Sequence, residues 1–478
     1  MLGTYAAAAL ICVASLWVGR AVLLLAGSGV WTWLEPMVGF GILLTLAGAT
    51  AWIWRNPPAT GAVLVAATAA AGLTGAPRPG CAAAVGRRGL WILAILGVTL
   101  AVPLAVGHWT LAGADPFDLH LAQVEWLQGA GVPSPAARNA LGPAALASAL
   151  AVLPGIDAER ALLGELVAIV LLSGLTAVAA IDHLRSASQV LAAVLVALPY
   201  LVASFLLMGA LRPLIEAMVV LWTGVALLRV ERRIAIRPGS GHGLGASWRV
   251  ALPALAVAGA AFFSNSVAGL VWPIAITVRW SLNRPAVRRA VRLRALPQLL
   301  HRRAVWLGVA LVGGLALLAT VVPFSVALEG AGATTAPISP AAGLGFWPFD
   351  GFGPRTSAGA LVILGIDVAT IGIALLWWLR RREAAVPVAF GVSLVIYLLQ
   401  PFFAADYARA QALAILAPVA MLVVARPLLE ELSSVPTPLR RGRPLLRSGD
   451  RRGFQRTAWA ALAVAFFGAA VWSTVAAF

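Results

Sequence analysis

The chain has 478 residues, of which 61% are hydrophobic and only 11% charged, and its mean hydropathy is +0.92. No water-soluble domain carries so little charge over such a length, so composition excludes a soluble enzyme and predicts an all-α polytopic membrane protein. The net charge of +17 rests on 35 basic residues, all arginine, gathered between apolar runs as in loops facing anionic headgroups. No aromatic-interleaved basic patch accompanies them, which argues against nucleic acid as a partner.

Two cysteines, Cys12 and Cys81, offer neither a disulfide framework nor metal-ligand spacing. Tyr5–Leu25 lacks a charged leader and a small-residue cleavage site, so it reads as a retained span. Apolar runs at 4–26 and 36–54 are spans, with Trp31, Trp33 and Glu35 between them like an interfacial belt. Arg55 marks the cytoplasmic side. The Ala/Gly/Thr run 60–75 reads as re-entrant or as a weak span, and 89–106 crosses outward.

An acidic stretch, 107–138, comes next. Leu141–Leu153 is too short to cross and reads as a second surface or re-entrant helix. Spans follow at 160–182, 188–208 and 211–230, closing on Arg229, Arg232, Arg233, Arg237 and Arg249. Residues 250–280 carry arginines at both ends, so the bilayer is crossed there twice or not at all. Two short helices broken near Ser264-Asn265-Ser266 satisfy that condition, with the polar break partnered inside protein. Spans at 304–326, 357–379, 385–400, 410–425 and 457–476 complete about 13 crossings. Sorting arginines to the cytoplasm places the acidic stretch and a second loop, 327–356, outside. The organisation expected is N-terminal spans (1–88), a transmembrane catalytic core (89–425), and a basic segment with a final span (426–478).

The acidic stretch is the place for chemistry. Asp115-Pro116 is a helix start, with an Asp cap and Pro at the first position, and Gly129 is a stop. On a helical wheel Phe117, Leu121, Val124 and Leu127 form an apolar face. Asp118 and Glu125 lie together on another, flanked by Asp115. His120 stands roughly 160° from Asp118 and cannot cooperate with it on a regular helix. Asp118 is the candidate general base, with Asp115 and Glu125 as alternatives. Helix capping is the bland explanation, and it accounts for Asp115 well. The trio could hold Mg²⁺ or Mn²⁺ and suits metal-free catalysis equally.

A second candidate is Asp406-Tyr407-Ala408-Arg409. Arg409 is placed to clamp a lipid phosphate, or else to snorkel to headgroups beside an aromatic belt. Arg138, Arg212 and Arg355 are weaker versions of the same idea. Glu165, Glu216 and Asp367 are acids at membrane depth, which default to function unless a neighbouring Arg answers them. His108 and His120 match no metal spacing. Phe346, Trp347, Phe349 and Phe352 suit a headgroup belt better than a sugar platform.

The stretch GADPFDLHLAQVEWLQGAGVP after an outward span resembles the first external loop of GT-C-type membrane glycosyltransferases, among them the protein O-mannosyltransferases and lipid A aminoarabinose transferases. NALGPAALASALAVLPGIDAERALLGELVAIVLLSGLTAVAAIDHLR is similar to their second surface helix and next span. ALPYLVASFLLMGALRPLIEAMVVLWTGVALLRVERR is similar to the hairpin after it, and GAAFFSNSVAGLVWPIAITVRW to their paired half-spans. The likeness covers roughly residues 89–425 and is one of layout. Where the family often carries an Asp-Glu pair, Asp118 is followed here by Leu119 and His120, which leaves the choice between Asp115 and Asp118 open. The extra N-terminal spans also depart from the family pattern.

The resemblance implies an inverting transferase in the cytoplasmic (inner) membrane, with its active site on the external face. A sugar would pass from a polyprenyl phosphate to a glycan, lipid or protein acceptor. The loop carboxylate would orient the acceptor, and Arg409 with Tyr407, Arg138 and Arg212 would hold the donor phosphate. The alternatives are a transporter or flippase of a lipid-linked or small anionic solute, an O-antigen-ligase or polymerase-like enzyme, and a non-catalytic scaffold.

Overall fold

A computed structural model of the chain describes residues 2–28, 31–74, 89, 91–100, 115–129, 141–236, 248–283, 340–346, 358–400, 406–433 and 451–477. Among them every regular element is a helix. In order these are α1 (Leu2–Leu25), α2 (Glu35–Trp54), α3 (Pro57–Thr74), α4 (Trp91–Leu100), α5 (Asp115–Leu127) and α6 (Gly142–Leu150). Then come α7 (Ala158–Ala180), α8 (Ser186–Ala197), α9 (Tyr200–Leu207), α10 (Leu211–Ile236), α11 (Trp248–Gly269) and α12 (Val271–Leu282). The last are α13 (Pro340–Gly343), α14 (Ala358–Arg380), α15 (Ala385–Leu399), α16 (Asp406–Ser433) and α17 (Arg451–Ala477). Among the described residues seven helices are long and apolar enough to cross a bilayer, or eight if α8 and α9, bent by 58°, form one span. This is a polytopic helical membrane protein. The expected run at 304–326 lies outside the described residues.

The bundle core is made of α7, α10 and α16, whose apolar residues are buried almost throughout. α1 runs parallel to α7: a methyl on Gly3 would meet the Gly155 carbonyl oxygen, and one on Gly164 would meet Ala7. α1 and α2 form an antiparallel pair with touching backbones. A methyl on Gly19 would fall 1.7 Å from the Glu35 carbonyl oxygen, and one on Gly39 1.7 Å from that of Ser15. Without a hydrophobic drive between helices in lipid, such glycine crossings supply the packing. Arg20 closes this pair with an ion pair to Glu35 at 3.0 Å. α2 in turn runs parallel to α11, with Gly41 on Ala256 and Gly48 on Phe263. α1, α2 and α3 are therefore built into the same packed body as the described core helices.

These contacts define two ends of the bundle. Glu35 feels the charge of Arg229 at the far end of α10, so the α1–α2 turn stands at the arginine-rich end. At the other end of α2, the Arg55 guanidinium lies 5.2 Å from the ring centre of Trp126 in α5. Arg55 thus shares an end with the acidic helix, and its expected place on the opposite side is corrected. Its charge sits over an indole face rather than among headgroups. Of the two readings of run 60–75, the structure supports the weak span: α3 is an 18-residue candidate span, leaving the α5 end beside Ala149 and reaching Trp17 of α1 at Gly72. With Arg55 at the α5 end and α3 crossing, the chain is back at the arginine end before α4. α4, which follows Gly89 packed on Trp33, still rises towards the α5 end.

The expected break near Ser264 is present. Asn265 (φ −143°) and Ser266 (φ 57°) leave the helical region inside α11. The chain then folds back, so that a methyl on Gly269 would fall 2.2 Å from the Ala261 carbonyl oxygen. α12 returns to the arginine end, where Trp280 Nε1 donates to Glu231 at 2.8 Å. Arginines flank both mouths of this hairpin because both mouths face the same side.

Candidate functional site

α5 forms where the sequence marks it, from Asp115-Pro116 to a left-handed Gly129 (φ +89°). It lies on α6 and α7 and touches the turn before α10, where Phe117 fills the space a side chain at Gly209 would need. Phe117, Val124 and Leu127 are buried, and Leu121 is half-buried. Asp118 and Glu125 are exposed, as the wheel requires. The side chains of Asp115 and Tyr407, and all of Arg138, Arg355 and His108, lie outside the described residues. Arg409 is half-buried in the first turn of α16. The other end of that helix carries Arg426 and Glu430, so Arg409 belongs to the α5 end. Arg212 is half-buried in the first turn of α10, at the same end.

The buried face of α5 is more polar than its pattern suggested. His120 and Gln123 are 3% and 0% exposed, and His120 Nδ1 lies 3.0 Å from Gln123 Oε1. The amide oxygen accepts, so Nδ1 carries the proton and Nε2 is left as an acceptor. Burial, and then the Arg212 charge, push the imidazole down to about 3. His120 is a neutral hydrogen-bonding group at any physiological pH. One turn into α10, Glu216 is 5% exposed, feels Arg212, and accepts a hydrogen bond from the Asn265 side chain at the α11 break. Glu216 was legible as a membrane-depth acid with Arg212 one turn away. Gln123 and Asn265 were not, because no local pattern says which amide faces a distant helix.

The arginine end is a closed ionic network. Arg426, 2% exposed, pairs with Glu430 at 2.9 Å and with Glu383 at 2.5 Å, and its guanidinium lies 4.3 Å from the centre of the Trp378 ring. Arg232 also reaches Glu383 at 3.0 Å, and Arg381 reaches Glu430 at 3.1 Å. Arg229 pairs with Asp182 at 2.6 Å. Arg229 and Arg232 also donate to the Ala179 and Ala180 carbonyls, closing the last turn of α7. Glu231 accepts from the backbone N–H groups of Ala384 and Ala385, an anion at the start of α15. His183 bonds to Glu430 at 2.9 Å, and its pKa is raised by Asp182 and Glu430. Burial opposes ionisation of Asp182, but the His183 bond and then Arg229 and Arg232 hold its pKa below the usual carboxylate range. These residues join five helices, and the acid among them that faces solvent, Asp182, is held by Arg229 and His183.

Among the described residues no three His, Cys, Asp or Glu side chains come together to hold a metal. Glu165 is fully buried in α7, and neither carboxylate oxygen has a hydrogen-bond partner among the described residues. Asp367, in α14, is 7% exposed. Phe346 packs against Phe466 of α17, ring centres 5.6 Å apart. Trp347, Phe349 and Phe352 lie outside the described residues. No protein-family model, curated protein or solved structure matches the chain.

Proposed function

We propose that this chain is an inner-membrane glycosyltransferase of GT-C-like layout with about 13 crossings, moving a sugar from a polyprenyl phosphate to an envelope acceptor at the face where α5 lies. One observation carries this reading. A surface helix holds Asp118 and Glu125 out to solvent at the same end as Arg212 and Arg409. A lipid-linked donor keeps its phosphate at that depth. The acceptor hydroxyl attacks the anomeric carbon and gives its proton to Asp118, with Asp115 and Glu125 beside it. The bond from that carbon to the phosphate oxygen breaks, and the electron pair leaves with the polyprenyl phosphate. Arg212 and Arg409 neutralise the charge gathering there. The carboxylates would suit Mg²⁺ or Mn²⁺, but no step calls on a metal.

The test is sugar transfer in membranes from a deletion strain, read by mass spectrometry of envelope glycans and lipids. Wild type restores a missing sugar. Asp118→Ala lowers the transfer rate by about 10²–10⁴-fold, the usual contribution of a general base. Full rescue by Asp118→Ala removes the assigned base. A second reading, ion-coupled transport of a lipid-linked or small anionic solute, draws on the buried, unbonded carboxyl of Glu165. Accumulation of an unused solute with unchanged glycans would support it.

A further inference from the structure

At the α5 end, Arg212 of α10 links two groups of buried polar side chains, one on α5 and one at the α11 break. α5 contributes His120 and Gln123, which are buried and bonded to each other. α10 contributes Arg212, whose charge reaches both His120 and Glu216. The broken helix α11 contributes Asn265, bonded through its side chain to Glu216. Next to Asn265, Ser264 is 0% exposed, and its hydroxyl has no hydrogen-bond partner among the described residues. The same is true of one carboxylate oxygen of Glu216. A buried hydroxyl and a buried carboxylate oxygen left without partners each cost about 1–3 kcal/mol. The chain pays for a break in the bilayer-facing hairpin as well, with Asn265 and Ser266 both outside helical geometry.

Chemistry narrows what such a group of side chains recognises. Arg212 and Glu216, one turn apart, give the group a cation at its outer edge and a carboxyl group further in. A carboxylate, an amide and a hydroxyl side by side offer both acceptors and donors, which is what vicinal hydroxyls need. Arg212 stands one turn nearer the membrane surface, about 6 Å along α10 from Glu216. That is close to the separation between a phosphate and the far side of the sugar ring attached to it. Arg212 is half-buried, so its charge lies at the outer edge of this group.

We infer that Glu216, Asn265 and Ser264 form a sugar-hydroxyl subsite at the α11 break, reading the sugar of a polyprenyl-phosphate donor whose phosphate is held by Arg212. The inference rests on the transferase reading above and deepens it. The exposed acids of α5 act on the acceptor, and the buried trio chooses the donor sugar.

The test is binding to the full-length protein in nanodiscs. The probes are undecaprenyl phosphate, bare or carrying mannose, glucose, galactose or arabinose. At least one sugar-bearing lipid binds about tenfold more tightly than the bare lipid, the gain of a hydrogen bond to a charged group. Glu216→Gln and Ser264→Ala each bring that ratio to within about twofold. Bare-lipid affinity is retained by Ser264→Ala and is equal or higher in Glu216→Gln, which removes a negative charge one turn from Arg212. Retained bare-lipid binding is also the check that the variants fold. Arg212→Gln weakens bare and sugar-bearing lipids alike. If wild type binds the bare lipid but prefers no sugar, or if its preference survives both Glu216→Gln and Ser264→Ala, the subsite is overturned and the transferase reading stands. If wild type binds none of these lipids, both fall together.

Discussion

The two ends of the bundle spend their charges differently. At the arginine end, acids and guanidinium groups are matched at 2.5 to 3.1 Å, and what remains caps helix termini. At the α5 end, Asp118 and Glu125 face solvent, and Ser264 Oγ and one oxygen of Glu216 are buried with no hydrogen-bond partner among the described residues. Ion pairs that cross from helix to helix hold the arginine end in register. The α5 end carries the exposed carboxylates, and the proposed site stands there.

Breaking the matched end has the largest expected effect. Arg426→Ala leaves Glu430 and Glu383 without their central cation and costs about 3–5 kcal/mol, the usual result of removing one partner of a buried pair. Thermal unfolding in detergent would show it as a large drop in Tm. An unchanged Tm would mean that the network is ornamental.

The α5 end has its own pH signature. The His120 imidazole is held at about 3, below its ordinary value near 6.5, so the unfolded chain takes up a proton more readily than the folded one. Stability therefore falls as pH drops below about 6.5 and levels off only near the folded value, a loss of about 2 kcal/mol by pH 5. His120→Leu flattens that slope, which Tm measured from pH 7.5 to 5 would record.

Next in size is Glu231→Gln, which removes the anion from the start of α15 and from Trp280. It costs about 1 kcal/mol and leaves binding at the α5 end untouched. The smallest effect belongs to His183. Its raised pKa contributes stability that is complete below its ordinary value and is lost as pH rises through the folded value. His183 is half-exposed and screened by water, so the change across pH 6.5–8 stays below about 1 kcal/mol. His183→Gln abolishes it. A larger change would mean that the arginine end, too, holds a reserve of mismatched charge.

The sequence made the local features of this fold legible and left the distant ones hidden. Asp115-Pro116 and Gly129 bounded α5 because capping is a matter of a few adjacent residues. The break at Ser264-Asn265-Ser266 could be found because arginines at both ends of one apolar run force a return. The direction of α1 and α2 was misjudged because one arginine, Arg55, was given weight as a marker while its charge is absorbed by Trp126. α3 reads as a weak span or a re-entrant helix because alanine, glycine and threonine lower hydropathy, and only its contacts with Trp17 and Ala149 decide for the span. The buried half of the candidate site was the least legible. Asn265 and Glu216 are 49 positions apart, and only the folded chain brings them together.

Ser266 has a further consequence. Its backbone, at φ 57° and ψ −148°, occupies a conformation that glycine adopts freely and other residues resist by about 1–3 kcal/mol. The bend is therefore held in place by the contacts around it rather than by the preference of its own backbone.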